Sequence, residues 1–587
     1  MAPITMNPRR IWPRRSGWPT CLLLLFLWPT WLDAAPIDEL LARVPPETGI
    51  CLIVQNLREH GDQLVKSPFA EVLANSPLAE KLFPQKDRAK LAAFDALLRA
   101  NLDTSFAEVR DDILGDAFVF AFRPAPLDRP DEEQGLILLR PRNPNRLGKL
   151  LERLNELQKA SGEIRAVRTL SYRDFSYQVR EKPEGAEYYL FHEGIFAFSG
   201  QESALRALID QSILAARPEA PLPAVQQARQ RLELESAFLV CWFHPRVFDS
   251  YLRPENSRDP REQAFLSQFR RLWQSCDSLA IYAHPRQNFE VGFAAAFQPQ
   301  RMPAELKPLL LEPARPTRVA TAIPEDSLVA AVGTIDLPAW LEALASFLPA
   351  SDRDGIKQLL EDGLGPVIGR QRLPSLLQGI GPGWAAWVIP PPHDSVSGLP
   401  LAAVAVELST SEPNISPAIG QALEVGFHFV RISYNRTHSD QIDLHDEADG
   451  ANRVRFLRND AGFPPGFQPA FAIKGNLVLL ATHPDAIRGL QPPASHPDRL
   501  GLASPKLTTL DWRISATRIL ALLEQHHKSL AKVIAEWTEC EKGAVTRELS
   551  IFHELLKLLK SIQLTSQTDR GRLRWRLQVE FSQPLQP

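Results

Sequence analysis

The chain has 587 residues, 44% of them hydrophobic and 23% charged, with a formal net charge of −3. One hydrophobic core does not serve a chain of that length, so roughly three to five domains are expected. A balance this close to neutral supplies no basic face to hold phosphates, so no nucleic-acid partner is expected.

Arg9, Arg10, Arg14 and Arg15 precede the apolar run "CLLLLFLWPTWL" from Cys21 to Leu32, and "DAAP" follows it. A basic segment, a short apolar core and small residues after it form the pattern of a secretory signal peptide. As a helix the run would span roughly 18 Å, short of the roughly 30 Å hydrocarbon layer. Pro29 interrupts it. A cleaved signal over residues 1–35 is the expectation, and an uncleaved inner-membrane anchor is the alternative. The cleavage site is imperfect, because Leu32 or Asp33 would stand where a small residue is wanted. Arg14-Arg15 lacks the flanks of a twin-arginine signal, and Cys21 lies at the wrong end of the run for lipid attachment. No later segment approaches the length of a membrane span.

Beyond the signal the sequence repeats itself. "PETGICLIV" from Pro46 is answered by "PEDSLVAAV" from Pro324, and "LGDAFVFAFRP" from Leu114 by "IGPGWAAWVIP" from Ile380. "EKPEGAEYY" is answered by "DEADGANRV", matching Gly185 to Gly450, and "EGIFAFSG" by "KGNLVLLA", matching Gly194 to Gly475. "FLVCWFHPRVF" pairs with "TTLDWRISATR", Trp242 to Trp512, and "FEVGFAAAFQP" with "LRWRLQVEFSQP", Phe297 to Phe581. The six matches keep their order and nearly constant spacing, which reads as internal duplication of a unit of about 270 residues.

In each copy a strand (Ile50 to Val54; Leu328 to Val332) runs into a helix. Phe118, Phe120 and Phe122 alternate with Val119 and Ala121, a strand apolar on both faces. A variable loop leads to "GLILLR" or "LAAVAVEL". In the first copy Leu147, Leu150, Leu151, Leu154 and Leu157 then fall at helical spacing. Next comes a hairpin turning at Gly185 or Gly450, then a strand running into a helix begun by "SGQES" or "THPDA", with Ser, Thr or Asp as cap. A smaller module of strand, helical region and two strands closes each copy. Strands joined by hairpins in some places and helices in others give the expected class: α+β, two tandem halves, each of mainly antiparallel sheet covered by helices. The main modules are expected at 36–225 and 321–500 and the small modules at 226–300 and 501–587. Residues 301–320, "RMPAELKPLLLEPARPTRVA", are proline-rich and read as a semi-rigid linker.

The phrases "VPPETGICLIVQNLREH", "GIFAFSG" and "GNLVLLAT" resemble large exported bacterial proteins of unknown function with repeated strand–helix units. The resemblance implies an exported, envelope setting and brings no catalytic residue with it.

Local chemistry is sparse. Asp443, His445, Asp446, Glu447 and Asp449 cluster in "DLHDEADG". A calcium loop would need an acidic first position and a glutamate six residues after Gly450, and those places hold His445 and Phe456. A solvated turn is the expected reading. His526-His527 has Leu530 where a second metal ligand would stand, so a half-buried histidine on an amphipathic helix is expected. "GLGPVIG" from Gly363 is spoiled as a phosphate loop by Pro366 and by the lack of a preceding strand. The acidic "DRPDEEQ" around Asp131 reads as a solubilising loop tip, and Trp384 and Trp387 as strand core. Cys51, Cys241, Cys276 and Cys540 form no close pair; buried free thiols are favoured over one or two disulfides. No catalytic residue, cofactor or metal site is assigned. The expected function is a non-catalytic binding or structural role in the envelope; the alternatives are a carrier of lipid or another apolar ligand and, third, an exported hydrolase.

Overall fold

The computed structural model describes residues 35–584 except 77, 83, 218, 253–258, 286–287, 313–316, 318, 356–357, 359–361, 363–376, 393–397, 410–414, 465, 489, 491–507 and 539–540. The expected signal segment before Ala35, "GLGPVIG" and Cys540 lie outside the described residues.

The fold is α+β, as the alternation of hairpin and helical connections predicts. The first half supplies β1 (Ile50–Gln55), β2 (Ala117–Arg123), β3 (Gln134–Arg140), β4 (Ala166–Tyr172) and β5 (Phe175–Glu181). It continues with β6 (Ala186–His192), β7 (Ile195–Ser199), β8 (Leu239–Phe243), β9 (Cys276–Pro285) and β10 (Phe289–Phe297). The second half supplies β11 (Val329–Thr334), β12 (Ile380–Ile389), β13 (Leu401–Leu408), β14 (Asp443–Asp449) and β15 (Asn452–Arg458). It ends with β16 (Ala470–Lys474), β17 (Leu477–Ala481), β18 (Thr508–Ser515), β19 (Leu559–Asp569) and β20 (Arg572–Phe581).

The pairings put the first ten strands in the order β4-β5-β6-β7-β3-β2-β1-β8-β9-β10. The second ten lie in the order β14-β15-β16-β17-β13-β12-β11-β18-β19-β20. Adding ten to every strand number of the first order gives the second. The halves meet where β10 pairs antiparallel with β20, from Phe289–Val579 to Ala296–Arg572, which joins all 20 strands into one sheet. Every pairing among the described residues is antiparallel.

Strand pairing corrects four of the sequence matches. In the opening one Gly49, not Ile50, takes the place of Leu328: Gly49 donates to the Phe122 carbonyl and accepts from the His244 N–H, as Leu328 does with Val388 and Ser515. Gly185 turns between β5 and β6, whereas Gly450 turns between β14 and β15. They belong to different hairpins, and the true counterpart of the Gly450 turn is Arg173-Asp174, between β4 and β5. A glycine with positive φ (91° at Gly185, 59° at Gly450) marks any tight hairpin, so it does not say which one. Gly194 and Gly475 sit in equivalent turns but at different places in them, because His192 pairs Ile195 while Lys474 pairs Leu477. Trp242 and Trp512 face opposite ways. Trp242 lies beside Cys51 on the buried face, while Arg513 lies beside Ala330 on the matching face of the second half, turning Trp512 to the other side. A slip of one residue in a strand exchanges its faces.

Both faces of the sheet are covered. On one, the Pro36–Leu41 helix buries Ile37, Leu40 and Leu41 over Cys51, Val119 and Ala121, and the Glu202–Ala215 helix adds Leu205, Leu208 and Ile209. Among the described residues, the turns at Val319–Ala322 and Pro484–Ala486 lie over Ala385, Trp387 and Ala403 on the matching face of the second half. The helix expected at "THPDA" is thus a single 3-10 turn, in which His483, not a hydroxyl or carboxylate, accepts from the Asp485 N–H. The helix expected at "SGQES" does form, and Ser199 Oγ accepts from the Gln201 N–H at 3.0 Å where it begins.

On the opposite face, the Pro144–Ala160 helix follows β3 and packs Leu147 against Leu139 and Phe196. Asn143 caps it, accepting from the Arg146 N–H at 3.1 Å. The Ile415–Thr437 helix follows β13 and packs Ile415 against Leu408 and Val478. Between β10 and β11, Met302 and Leu306 are buried with Phe297 and Ala343. No described helix is long and apolar enough to cross a membrane.

Candidate functional site: clefts beside the repeated Pro-Glu turn

The repeated "PE" turn that precedes β1 and β11 borders a cleft in each half. In the second half, Pro324–Ser327 forms one wall of a cleft of about 420 Å³. Its floor is sheet: Ala330 of β11, Arg513 and Ser515 of β18, Ser561 of β19 and Glu580 of β20. Thr517 and Arg518, in the first turn of the Ala516–Thr538 helix, form the far wall.

The side chains hold one another in place. Ser327 closes its turn through Oγ to the Pro324 carbonyl at 2.7 Å, and Arg518 Nη1 donates to the Ser327 carbonyl at 2.9 Å. The Glu580 carboxylate accepts from Lys560 Nζ at 2.7 Å and from the Ser561 hydroxyl at 2.9 Å. The Lys560 hydrogen bond holds Glu580 below the ordinary glutamate range against the opposing effect of desolvation, with Ser561 and the Arg513 charge assisting. On β18, Asp511 is 1% exposed and accepts from Gln563 Nε2 of β19 at 2.8 Å.

The first-half cleft, about 330 Å³, is bounded by Pro45–Thr48 and is mainly apolar, with Ala121, Leu136, Ala204, Ala207 and Leu214 among its walls. A third hollow of about 420 Å³ gathers Arg246, Arg271 and Arg301 around Asp249. Asp249 is already engaged by Arg246 at 3.1 Å and by the Trp273 indole N–H at 3.0 Å.

The groups in these clefts are poorly placed to move protons. A carboxylate pinned low by a lysine is a weak base for activating the Ser561 hydroxyl that donates to it. Burial pushes the Cys51 thiol up and Cys276 up to about 12, so neither supplies a thiolate at neutral pH. Cys51, Cys241 and Cys276 are free thiols.

The cluster singled out in "DLHDEADG" falls in a hairpin, with Asp443, Asp446 and Glu447 exposed, and most of its acids also meet a cation. Asp446 pairs with Arg453 at 2.7 Å and Arg455 at 3.3 Å, Glu447 with Arg488, and Asp449 with Lys474. His445 stacks on Phe456, centroids 5.2 Å apart. The turn is exposed and ion-paired at once. His526 and His527 are half-buried in the Ala516–Thr538 helix, and His526 has non-helical dihedrals there. Among the described residues no three His, Cys, Asp or Glu are grouped to hold a metal ion. Around Asp131, a 3-10 turn at Pro130–Glu132 forms the loop tip, held by Arg129 donating to Glu132 at 2.7 Å. Trp387 is 1% exposed, its indole donating to the Ala486 carbonyl at 3.4 Å, and Trp384 is half-buried.

Sequence reading passed over Arg513, Arg518, Lys560, Glu580 and Lys474. A signal did exist: "DWRIS" and "RLRWRLQVEF" alternate charge along strands inside a sheet, where an apolar face is the default.

No family model matches the chain, and no curated protein matches it. One solved structure, titled "Structure of crystal form III of TP0453", aligns with 46% of this chain and 86% of its own at 8% identity and a TM-score of 0.23. A likeness at that score carries no argument about fold or function.

Proposed function

We propose that the protein is exported and serves in the cell envelope as a non-catalytic binding protein, whose two halves descend from one duplicated unit and present a single sheet scaffold. The observation that carries the reading is the outward side of its helices. Leu91, Phe94 and Leu97 on the Gln85–Leu102 helix, Trp340 and Leu344 on Leu337–Ser346, and Phe429 and Ile432 on Ile415–Thr437 are each 44–70% exposed. Large apolar side chains turned outward in groups mark surfaces that meet a partner. The basic and apolar N-terminal segment supports export.

Two measurements test the reading. An alkaline phosphatase fusion joined after residue 40 is expected to be active in cells, and an inactive fusion refutes export. Purified protein is expected to turn over nothing in a hydrolase panel, and sustained turnover abolished by Glu580→Gln or Ser561→Ala refutes the non-catalytic role.

A second reading, carriage of a small apolar ligand, is favoured by the apolar walls of the first-half cleft, whose volume sits at the low end for ligand sites. Native mass spectrometry showing no co-purified small molecule would weigh against it.

A further inference from the structure

The two halves provide an internal comparison at one position of the fold. The Pro144–Ala160 helix connects β3 to β4, and the Ile415–Thr437 helix connects β13 to β14, each packed on the equivalent strands of its half. Outward, the first helix shows Lys149, Glu152, Arg153, Glu156 and Lys159, an ordinary solvated face. The second shows Val425, Phe429, Val430 and Ile432, exposed by 46%, 70%, 48% and 60%. Its inward side is apolar as well, with Ile419 and Leu423 packed on the sheet and Phe427 against Phe471 at 4.7 Å between centroids. The fold therefore accepts a charged outer face at this position, and in the second half it carries an apolar one. Val425, Phe429 and Ile432 follow at i, i+4 and i+7, one stripe along the helix.

We infer that this stripe rests on an anionic lipid surface, with the helix lying in the plane of the headgroups. The inference deepens the proposed envelope role and rests on it for access to a membrane.

Charge selects this occupant. Arg431 and Arg436 flank the stripe. Glu424, the acid on the helix, is held by Arg455 at 2.9 Å, and Asp446 on the neighbouring hairpin is shared by Arg453 and Arg455. An apolar stripe with cationic flanks matches the interfacial helix pattern, and anionic headgroups complement it. A second copy of the chain fits worse. The four apolar side chains expose about 400 Å² together, whereas a stable interface takes about 800 Å² from each partner.

The test uses the full chain and flotation with vesicles of phosphatidylcholine alone or mixed equally with phosphatidylglycerol. Wild-type protein is expected to bind the mixed vesicles more than tenfold more tightly. Phe429→Ser with Ile432→Ser is expected to weaken binding to the mixed vesicles more than tenfold with an unchanged melting curve, since both side chains point to solvent. Arg431→Gln with Arg436→Gln is expected to remove only the preference for the anionic mixture. Because the Cys21–Leu32 run has its own affinity for lipid, an environment-sensitive dye at Ser433→Cys reports the helix itself. Its emission should shift to the blue with vesicles, while the same dye at Glu152→Cys on the first-half helix should not respond. No binding, binding indifferent to Phe429 and Ile432, or a silent dye at 433 overturns the inference. So does a dimer that the serine substitutions dissolve, which would make a second copy the occupant. An inactive phosphatase fusion sinks the envelope reading, whatever the vesicles show.

Discussion

Lys474 offers the sharpest energetic test of the second half. It ends β16, is 1% exposed, and spends its three N–H donors on the Asp449 carboxylate, the Ile487 carbonyl at 2.6 Å and the Leu490 carbonyl at 3.1 Å. It ties the β14–β15 turn to the segment after β17, two pieces that the strand ladder does not join. Removing one partner of a buried ion pair destabilises by about 3–5 kcal/mol, because the other charge stays buried. Asp449→Asn leaves the ammonium in place with its two carbonyls and a weaker amide acceptor, so about 3 kcal/mol is expected. Lys474→Met removes the charge but strips a donor from two carbonyls, at about 1–3 kcal/mol each. Asp449, with 22% of its side chain exposed, then relaxes toward water. Once the lysine is gone, Asp449→Asn no longer removes the counter-charge of a buried ammonium, so the double variant should fall short of the summed single effects by about 2 kcal/mol. Hydrogen exchange of the β16 and β17 amides reads the local opening free energy without requiring the whole chain to unfold in one step. Additivity within about 0.5 kcal/mol would refute the coupling, and with it the view that this buried pair fastens the end of the sheet.

Two further predictions concern the seam and a helix. Gly292 pairs with Arg576 across the seam, and a Cβ there would collide with the ring of Tyr282, which is 2% exposed. Gly292→Ala should destabilise by about 1–3 kcal/mol, whereas Gly148→Ala, in a helix with nothing within 4 Å, should stabilise by about 0.5–1 kcal/mol; melts in which both shift the same way would contradict the packing. Arg572 and Arg574 of the second half hold Glu233 of the first at 2.7 and 3.2 Å. The Arg572 hydrogen bond, the leading cause, keeps Glu233 below the ordinary glutamate range. The sign follows: its contribution is full above about pH 4.3, where an unfolded glutamate ionises, and disappears as pH falls through the lower folded value. Wild type and Glu233→Gln should therefore differ in melting temperature at pH 6 and converge as the pH falls through the lowered folded value; parallel curves from pH 6 downward would show that the ion pair does not support the seam.

What the sequence revealed follows from which positions are constrained twice. The order of elements was readable because β1, β2, β3 and the Leu147–Leu157 helix must each bury an apolar face, and burial leaves a periodic trace. Register was not readable. Trp242 and Trp512 are both tryptophans in strands, but a strand's facing depends on which neighbour it pairs with, and pairing is written in no single strand. The four-strand run β4–β7 was read as a hairpin and one more strand because Leu170 and its neighbours in β4 are mostly exposed, which leaves little apolar alternation to see. The cleft stayed hidden for a different reason. Arg513, Lys560 and Glu580 come from three strands and converge only through the β18-β19-β20 ladder.

That contrast also says where function is to be sought. Inward positions of the two halves answer to the same packing problem, so the paired Leu139 and Phe196 of one half correspond to the paired Val406 and Val478 of the other. Agreement of this kind follows from the fold and carries no information about what the protein does. The informative positions are those where equivalent places differ without a packing reason. Val240 and Trp242 fill the buried face of β8, while Asp511 and Arg513 occupy the matching face of β18 and open a polar cleft there. A charged helix face in the first half stands against the Phe429 stripe in the second. Both differences fall in the second half, on opposite faces of the sheet. Where two halves share a strand order and differ at equivalent places, the differences mark where substitutions are to be made: the β18–β20 cleft and the Ile415–Thr437 helix are the two surfaces on which they should separate loss of function from loss of folding.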